Sequence, residues 1–255
     1  MILELGQYAD SILLKENRGG SRLFKLDATR TVLDAPAQTG TVVHSVGVGD
    51  CFDAVFAVQR RTCDDKAALA YASFAAAEYA SYFEDSAVKQ SVSAALGIAP
   101  ATVAELAGVA VPWEMRRDIN IYLAAPDFDY VDTTPLDAVE KALTYHNFSV
   151  RRPVREHGQA RPDSPSSEKR RLAVADIELL NRCDMLIAVL LYDDPGTFIE
   201  VGVALEKQMP VIVFDPFNRA TNLMLTELPV LVSSDLDSII AEVFVRTSKN
   251  NHGKR

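Results

Sequence analysis

Cysteine is scarce in this chain. Cys51, Cys63 and Cys183 are odd in number and widely spaced, which argues against a disulfide framework and against a zinc site. No apolar run reaches the roughly eighteen residues that a membrane-spanning helix needs, and the N-terminus carries no signal-peptide pattern. Basic excess is missing as well. With 26 Lys and Arg against 35 Asp and Glu the net charge is −9, so no basic face is expected for nucleic acid. These absences leave a cytoplasmic protein with neither nucleic-acid nor membrane partners as the expectation. Only one tryptophan is present, Trp113, and its place in an extended Val111-Pro112-Trp113 link gives it a packing role at a domain junction.

What is present is an ordinary globular composition, 48% hydrophobic and 24% charged over 255 residues, enough for one large or two modest domains. The chain divides near residue 113: residues 1–113, then 118–247, then a polar, basic tail at 248–255 expected to fray. In the first part, Met1 to Leu5, Ser11 to Lys15, Arg22 to Leu26 and Gly40 to His44 read as strands. Ser45-Val46-Gly47-Val48-Gly49-Asp50 then runs into a helix reaching about Arg60. Two glycines at a helix start let backbone N–H groups approach an anion, and Asp50 is placed to act as a base toward a hydroxyl. An alanine-rich helix from Lys66 to Phe83 and a short one from Pro100 to Leu106 follow.

The second part alternates strands with helices, which predicts a doubly wound five-stranded parallel sheet of the α/β class. Ile119 to Ala124 is the first strand and Phe148 to Val154 the second. Thr133-Thr134-Pro135 opens a helix between them. The stretch 158–167 reads as a surface loop and about 167–182 as a helix. Met185 to Leu191 is short and branched-rich without polar alternation, as a buried parallel strand should be. It breaks into Tyr192-Asp193-Asp194-Pro195-Gly196, after which a helix is expected near Thr197 with its hydroxyl as N-cap and Glu200 in the first turn. Val211 to Phe214, Val230 to Ser233 and a helix from Asp235 to about Arg246, capped by Ser234, complete the pattern. In such sheets ligands bind where strands end and helices begin, so Glu200 and Asp194 are the leading site candidates.

Two resemblances bear on function. Gly47, Gly49 and Asp50 resemble the anion hole and catalytic base of ribokinase-like sugar kinases, a likeness covering roughly residues 1–95. His44, Ser45 and Val48 depart from that family's signature. Its sugar-binding sheet and lid have no counterpart here, so this partial α/β segment is expected to lack kinase activity. A nucleotide-sensing remnant or an oligomerisation module is the alternative. Over residues 118–245 the order Ile121-Tyr122-Leu123-Ala124-Ala125-Pro126-Asp127-Phe128, Asp176, Cys183-Asp184, Asp193-Asp194-Pro195-Gly196-Thr197, Glu200-Val201-Gly202 and Thr221-Asn222-Leu223-Met224 resembles the nucleoside 2-deoxyribosyltransferases. Ala125 stands where that family commonly has glycine.

The second resemblance implies an N-glycosidic bond broken at C1′ of a 2′-deoxyribonucleoside and the deoxyribosyl group passed to a free nucleobase. A carboxylate under an oxocarbenium-like carbon can capture it covalently, and Glu200 is that nucleophile, with Tyr122 orienting it. Asp176 and Asp194 would serve the base and the sugar hydroxyls, with Asp193 the weaker candidate, and Asp127 and Phe128 would contact the substrate. Asn222 and Met224 match residues delivered across a subunit interface, which implies a homo-oligomer. Hydrolysis of (deoxy)nucleosides or of nucleoside 5′-monophosphates is the alternative reaction, and for the latter Arg152, Arg155 and His157 form a possible phosphate site. A nucleotide-binding regulatory protein is the alternative outside catalysis. No cofactor is expected, and no metal, because the acids lack His or Cys partners at ligand spacing.

Overall fold

The computed structural model describes residues 2–28 and 30–253. By contacts the chain falls into two units, Met1–Pro112 and Trp113–Arg255.

In the first unit, Ile2–Leu5 is a helical turn, α1, and not the expected strand; Met1 lies outside the described residues. Four residues of Ile, Leu and Glu are good helix formers, and Gly6 N–H closes the turn on the Ile2 carbonyl at 3.0 Å. β1 (Ser11–Lys15) and β2 (Ser21–Lys25) form an antiparallel hairpin with Leu13 opposite Leu23. The turn between them needs Gly20, at φ +98°, because a Cβ there would sit 2.6 Å from the Ala35 carbonyl oxygen. The third strand is β3 (Val32–Ala35), antiparallel to β2, and Gly40 to His44 is not a strand. That segment instead donates Val43 N–H to the Ala80 carbonyl at a helix end, which leaves it no strand to pair with. Helices α2 (Val48–Gln59), α3 (Asp65–Ala80), α4 (Asp85–Leu96) and α5 (Pro100–Val103) follow. α3 stops three residues before the expected Phe83 and is capped by Asp64, which accepts Ala67 N–H. Its Ala68, Ala72 and Ala76 pack with Phe52 and Phe56 of α2 and with Leu23. Alanine at those positions lets two helices and a sheet approach closely.

The second unit starts at α6 (Trp113–Arg116), where an extended link was expected. Trp113 is largely exposed, with the buried Arg116 guanidinium 5.3 Å from its ring centroid. Next come β4 (Asn120–Ala124), α7 (Thr134–Tyr145), β5 (Ser149–Arg151), α8 (Pro153–His157) and α9 (Ser166–Leu180). β6 (Met185–Val189), α10 (Pro195–Glu206), β7 (Val211–Phe214), α11 (Leu223–Glu227), β8 (Leu231–Ser233) and α12 (Leu236–Gly253) complete it. The strands make one parallel sheet in the order β5-β4-β6-β7-β8, the doubly wound α/β class. β5 is shorter than expected because Pro153 opens a helix directly after it.

Two termini of elements differ from expectation for readable reasons. The last helix is capped by Asp235, whose carboxylate accepts Ser238 N–H at 2.9 Å, and Ser234 is not the cap. At its other end α12 continues to Gly253 where a flexible tail from 248 was expected; residues 254 and 255 lie outside the described residues. Thr247 and Ser248 are buried and extend the helical stripe of Ile239, Ile240, Val243 and Phe244, because both are small enough to sit inside. Among the described residues no helix is long and apolar enough to cross a membrane.

Candidate active site

Strand order reverses at β4 and β6, since the chain leaves β4 toward β5 and then crosses back to β6. A crevice opens at the carboxyl ends of the strands at such a switch point. Tyr122 lies in β4, and α10, which follows β6, carries Glu200.

The helix start differs from the expected one. Asp194 caps α10, its Oδ2 accepting Thr197 N–H at 2.7 Å and the Thr197 hydroxyl at 2.8 Å, so Thr197 is a donor to the cap and not the cap itself. Pro195 takes the first helical position, where a missing N–H costs nothing. Glu200 therefore sits in the second turn. Thr197, Val201 and Ala204 are the buried residues of α10, and Glu200 is the acid flanking that stripe.

Tyr122 is fully buried and its hydroxyl donates to Glu200 Oε1 at 2.6 Å. Burial pushes the Glu200 carboxyl up from 4.5 to about 7; the Tyr122 hydrogen bond pulls it down, while the charges of Asp176 and Asp194 push it further up. Burial, and then the neighbouring Glu200, raise the Tyr122 phenol well above its ordinary range, so it stays a proton donor. Asp176, on α9, accepts from or shares a proton with His157 Nδ1 at 2.8 Å. The structure thus gathers Glu200, Tyr122, Asp176 and Asp194 within one electrostatic neighbourhood.

Other candidates are placed differently. Arg152 is buried and spends its guanidinium on carboxylates: Asp127 through two hydrogen bonds of 2.9 and 2.5 Å, Asp137 at 2.5 Å and Glu140 at 2.6 Å. Arg155 also binds Glu140 and Asp137, and His157 is committed to Asp176. The three basic residues are in this way paired with acids, which leaves no open cationic cradle for a phosphate. Asp127, in turn, is locked by Arg152. Phe128 is stacked on Tyr130 with centroids 5.4 Å apart, and burial, then the charge of Asp194 and the neighbouring Tyr130, raise the Tyr192 phenol in the loop after β6. Neither tyrosine was picked out from sequence, although both stand in the loops that end β4 and β6. Asn222 caps α11 by accepting Met224 N–H at 2.9 Å. Asn222 and Met224 are exposed, near Leu223 in a surface segment, and none of their hydrogen bonds reaches Glu200.

Asp193 is exposed. Cys183 donates to the Leu179 carbonyl, and burial pushes its thiol up to about 12, so it has a packing role and not a nucleophile's. Asp184 accepts Asn120 N–H at 2.9 Å and ties β6 to β4. Among the described residues no group of three or more His, Cys, Asp or Glu is arranged to hold a metal ion.

In the first unit, Gly47 adopts φ +77° at the N-terminus of α2, and a Cβ there would lie 2.8 Å from the Tyr79 hydroxyl. Gly49 accepts Lys15 Nζ on its carbonyl at 3.1 Å, and Asp50 is exposed. A cavity of about 280 Å³ is lined by His44, Val46, Tyr79, Tyr82 and Phe83 among others, but both His44 ring nitrogens are held by backbone carbonyls, those of Val46 and Tyr82.

None of the curated proteins compared with the chain matches it. Among solved structures, one from a study titled as a characterization of a 2-deoxyribosyltransferase from Bacillus psychrosaccharolyticus is 26% identical, over 47% of this chain and 89% of that one, with a TM-score of 0.41. Another, described as a conserved protein from Enterococcus faecalis V583, is 22% identical over 50% of this chain and 98% of its own, again with a TM-score of 0.41. Residues 121–235, which carry Tyr122, Asp176, Asp194 and Glu200, match the model of the nucleoside 2-deoxyribosyltransferase family.

Proposed function

We propose that the second unit cleaves the N-glycosidic bond of 2′-deoxyribonucleosides and transfers the deoxyribosyl group to another nucleobase through a glycosyl ester on Glu200. The observation that carries this reading is the hydrogen bond from the buried Tyr122 to the part-buried Glu200 at the switch point of the sheet, within the segment that matches the family model. A carboxylate raised to about 7 by burial is poorly solvated and reactive when ionised. The Tyr122 hydroxyl fixes Oε1 and leaves Oε2 to approach C1′.

As the C1′–N bond breaks, its electron pair moves onto the base nitrogen, which takes a proton from Asp176. Among the described residues no hydrogen bond reaches Asp194 Oδ1, and this oxygen accepts from a sugar hydroxyl. Phe128 and Tyr130 offer the aromatic face on which a base stacks. A second base then attacks C1′ and returns its proton to Asp176. Nucleosides are favoured over 5′-monophosphates because the guanidinium groups of Arg152 and Arg155 are occupied by acids. Exposed Phe217, Leu223, Met224 and Leu228 support a homo-oligomer in which Asn222 and Met224 meet a neighbouring site. The first unit, with Asp50 in solvent, is assigned no kinase chemistry.

The test is incubation of deoxyinosine with adenine, followed by chromatography for deoxyadenosine. Exchange by the wild-type chain, lost by at least roughly 10³-fold in Glu200→Ala, is the expected result. Binding without turnover, or turnover indifferent to the substitution, would overturn the assignment and favour a sensor.

A further inference from the structure

His157 is the last residue of α8, and its Nδ1 lies 2.8 Å from Asp176 Oδ1 on α9. The pair is half-buried, with side chains 23% and 30% exposed. Asp176 is close enough to Glu200 and Tyr122 for its charge to act on both. Among the described residues no hydrogen bond reaches Asp176 Oδ2 or His157 Nε2.

The surrounding charges sharpen the point. On α8, Glu156 is neutralised by Arg151 of β5, at 2.7 and 2.5 Å. Arg155 is held by Asp137 and Glu140 of α7. Asp176 and Asp194, the cap of α10, both act by their charge on Glu200 of α10, and Asp176 acts on the Tyr122 phenol of β4. An ionised Glu200 and Asp194 already put two negative charges at the site. A third, formed on Asp176 when it gives up a proton, is costly unless a hydrogen-bond donor meets it. His157 is the group paired with Asp176 to do so.

We propose that His157 is the positioning residue through which Asp176 supplies and recovers the nucleobase proton. The proposal rests on the glycosyl-transfer reading given above. Asp176 enters the step protonated on Oδ2, with His157 Nδ1–H donating to Oδ1. The Oδ2 proton passes to a ring nitrogen of the base as that nitrogen takes the C1′–N electron pair and a Glu200 oxygen pair forms the C1′–O bond. The carboxylate left on Asp176 keeps the Nδ1–H bond, and that donor faces the new charge. When the second base attacks C1′, the C1′–O bond breaks with its electron pair returning to Glu200, and the ring proton of that base returns to Oδ2.

The experiment compares wild type, His157→Ala and His157→Gln on two donors, deoxyinosine and p-nitrophenyl 2-deoxyriboside, whose leaving group departs as a stable anion. With deoxyinosine, His157→Ala is expected to lower kcat roughly 10-fold or more with little change in KM, while the nitrophenyl donor loses under about threefold. His157→Gln keeps a donor to Oδ1, so it should recover part of the rate. Equal losses on both donors would mean a purely structural role and overturn the proposal, as would an unchanged deoxyinosine rate. Absence of exchange in the wild type would overturn the parent reading, and this one with it. Exchange in the wild type with any of the former results overturns this one alone.

Discussion

Both units place an acid near the start of a helix and a basic side chain nearby, yet they treat those groups in opposite ways. In the first, Asp50 is exposed at the head of α2, and Lys15 pairs with Asp53 with side chains 39% and 54% exposed. In the second, Glu200 is shielded against Tyr122, and Arg152 pairs with Asp127 with side chains 3% and 11% exposed. Water screens the first set, so each charge interacts only weakly with its neighbour. Its exclusion from the second makes every charge depend on a specific partner. A glycine turn and an acid are thus shared local features, and removal from water is what separates a reactive carboxylate from a solvated one.

The contrast breaks most visibly at the two cations. Arg152→Met would strand Asp127, Asp137 and Glu140 and should destabilise the second unit by about 3–5 kcal/mol in a denaturant titration. Lys15→Met should cost under about 1 kcal/mol. A similar loss in both would show that burial is not the distinction.

Tyr122→Phe comes next. Removing a hydrogen bond to a charged group should lower kcat/KM roughly 10–100-fold. Because that bond holds the Glu200 carboxyl down, the acid limb of the pH profile should move upward from about 7. A profile that stays in place would remove Tyr122 from the site.

Glu200→Gln sharpens the comparison through stability. Folded Glu200 keeps its proton to about 7, against 4.5 ordinarily, so between those values the native state binds more protons than the unfolded chain. Its contribution is therefore most favourable below 4.5 and is lost as pH rises through 7. At pH ~8 the neutral glutamine should stabilise by about 1–3 kcal/mol while abolishing exchange, and below pH ~4 the gain should vanish. The smallest effect is expected at Asp50→Asn, which should leave both stability, within about 0.5 kcal/mol, and nucleobase exchange unchanged.

How much of this was legible in the chain depends on the range over which each feature is encoded. The run from Met185 to Glu200 announced a buried strand, a turn and a helix because each signal lies within a few residues. The same stretch misled by one turn: Asp194-Pro195 is itself a cap followed by a first-turn proline, and the more familiar threonine cap was read at Thr197. Strand β3 and helix α1 were misplaced because pairing depends on partners, and Val32–Ala35 looks no more strand-like than Gly40 to His44 until β2 is beside it. The end of α12 was hidden by polarity, since Thr247 and Ser248 occupy a buried stripe. The clustering of Arg152 with Asp127, Asp137 and Glu140 joins three separate elements and left no local trace, so residues that look like a phosphate cradle turned out to be mutually satisfied.

With Glu200 as the proposed nucleophile, the Tyr122 phenol bonded to it has a consequence for the return half of the proposed exchange. On the proposed route Oε2 becomes the ester oxygen and Oε1 its carbonyl, still accepting from Tyr122. A donor on that carbonyl draws electron density out of the ester and makes the acid a better leaving group, so the same contact that aims the first attack also hastens release of the sugar to the incoming acceptor.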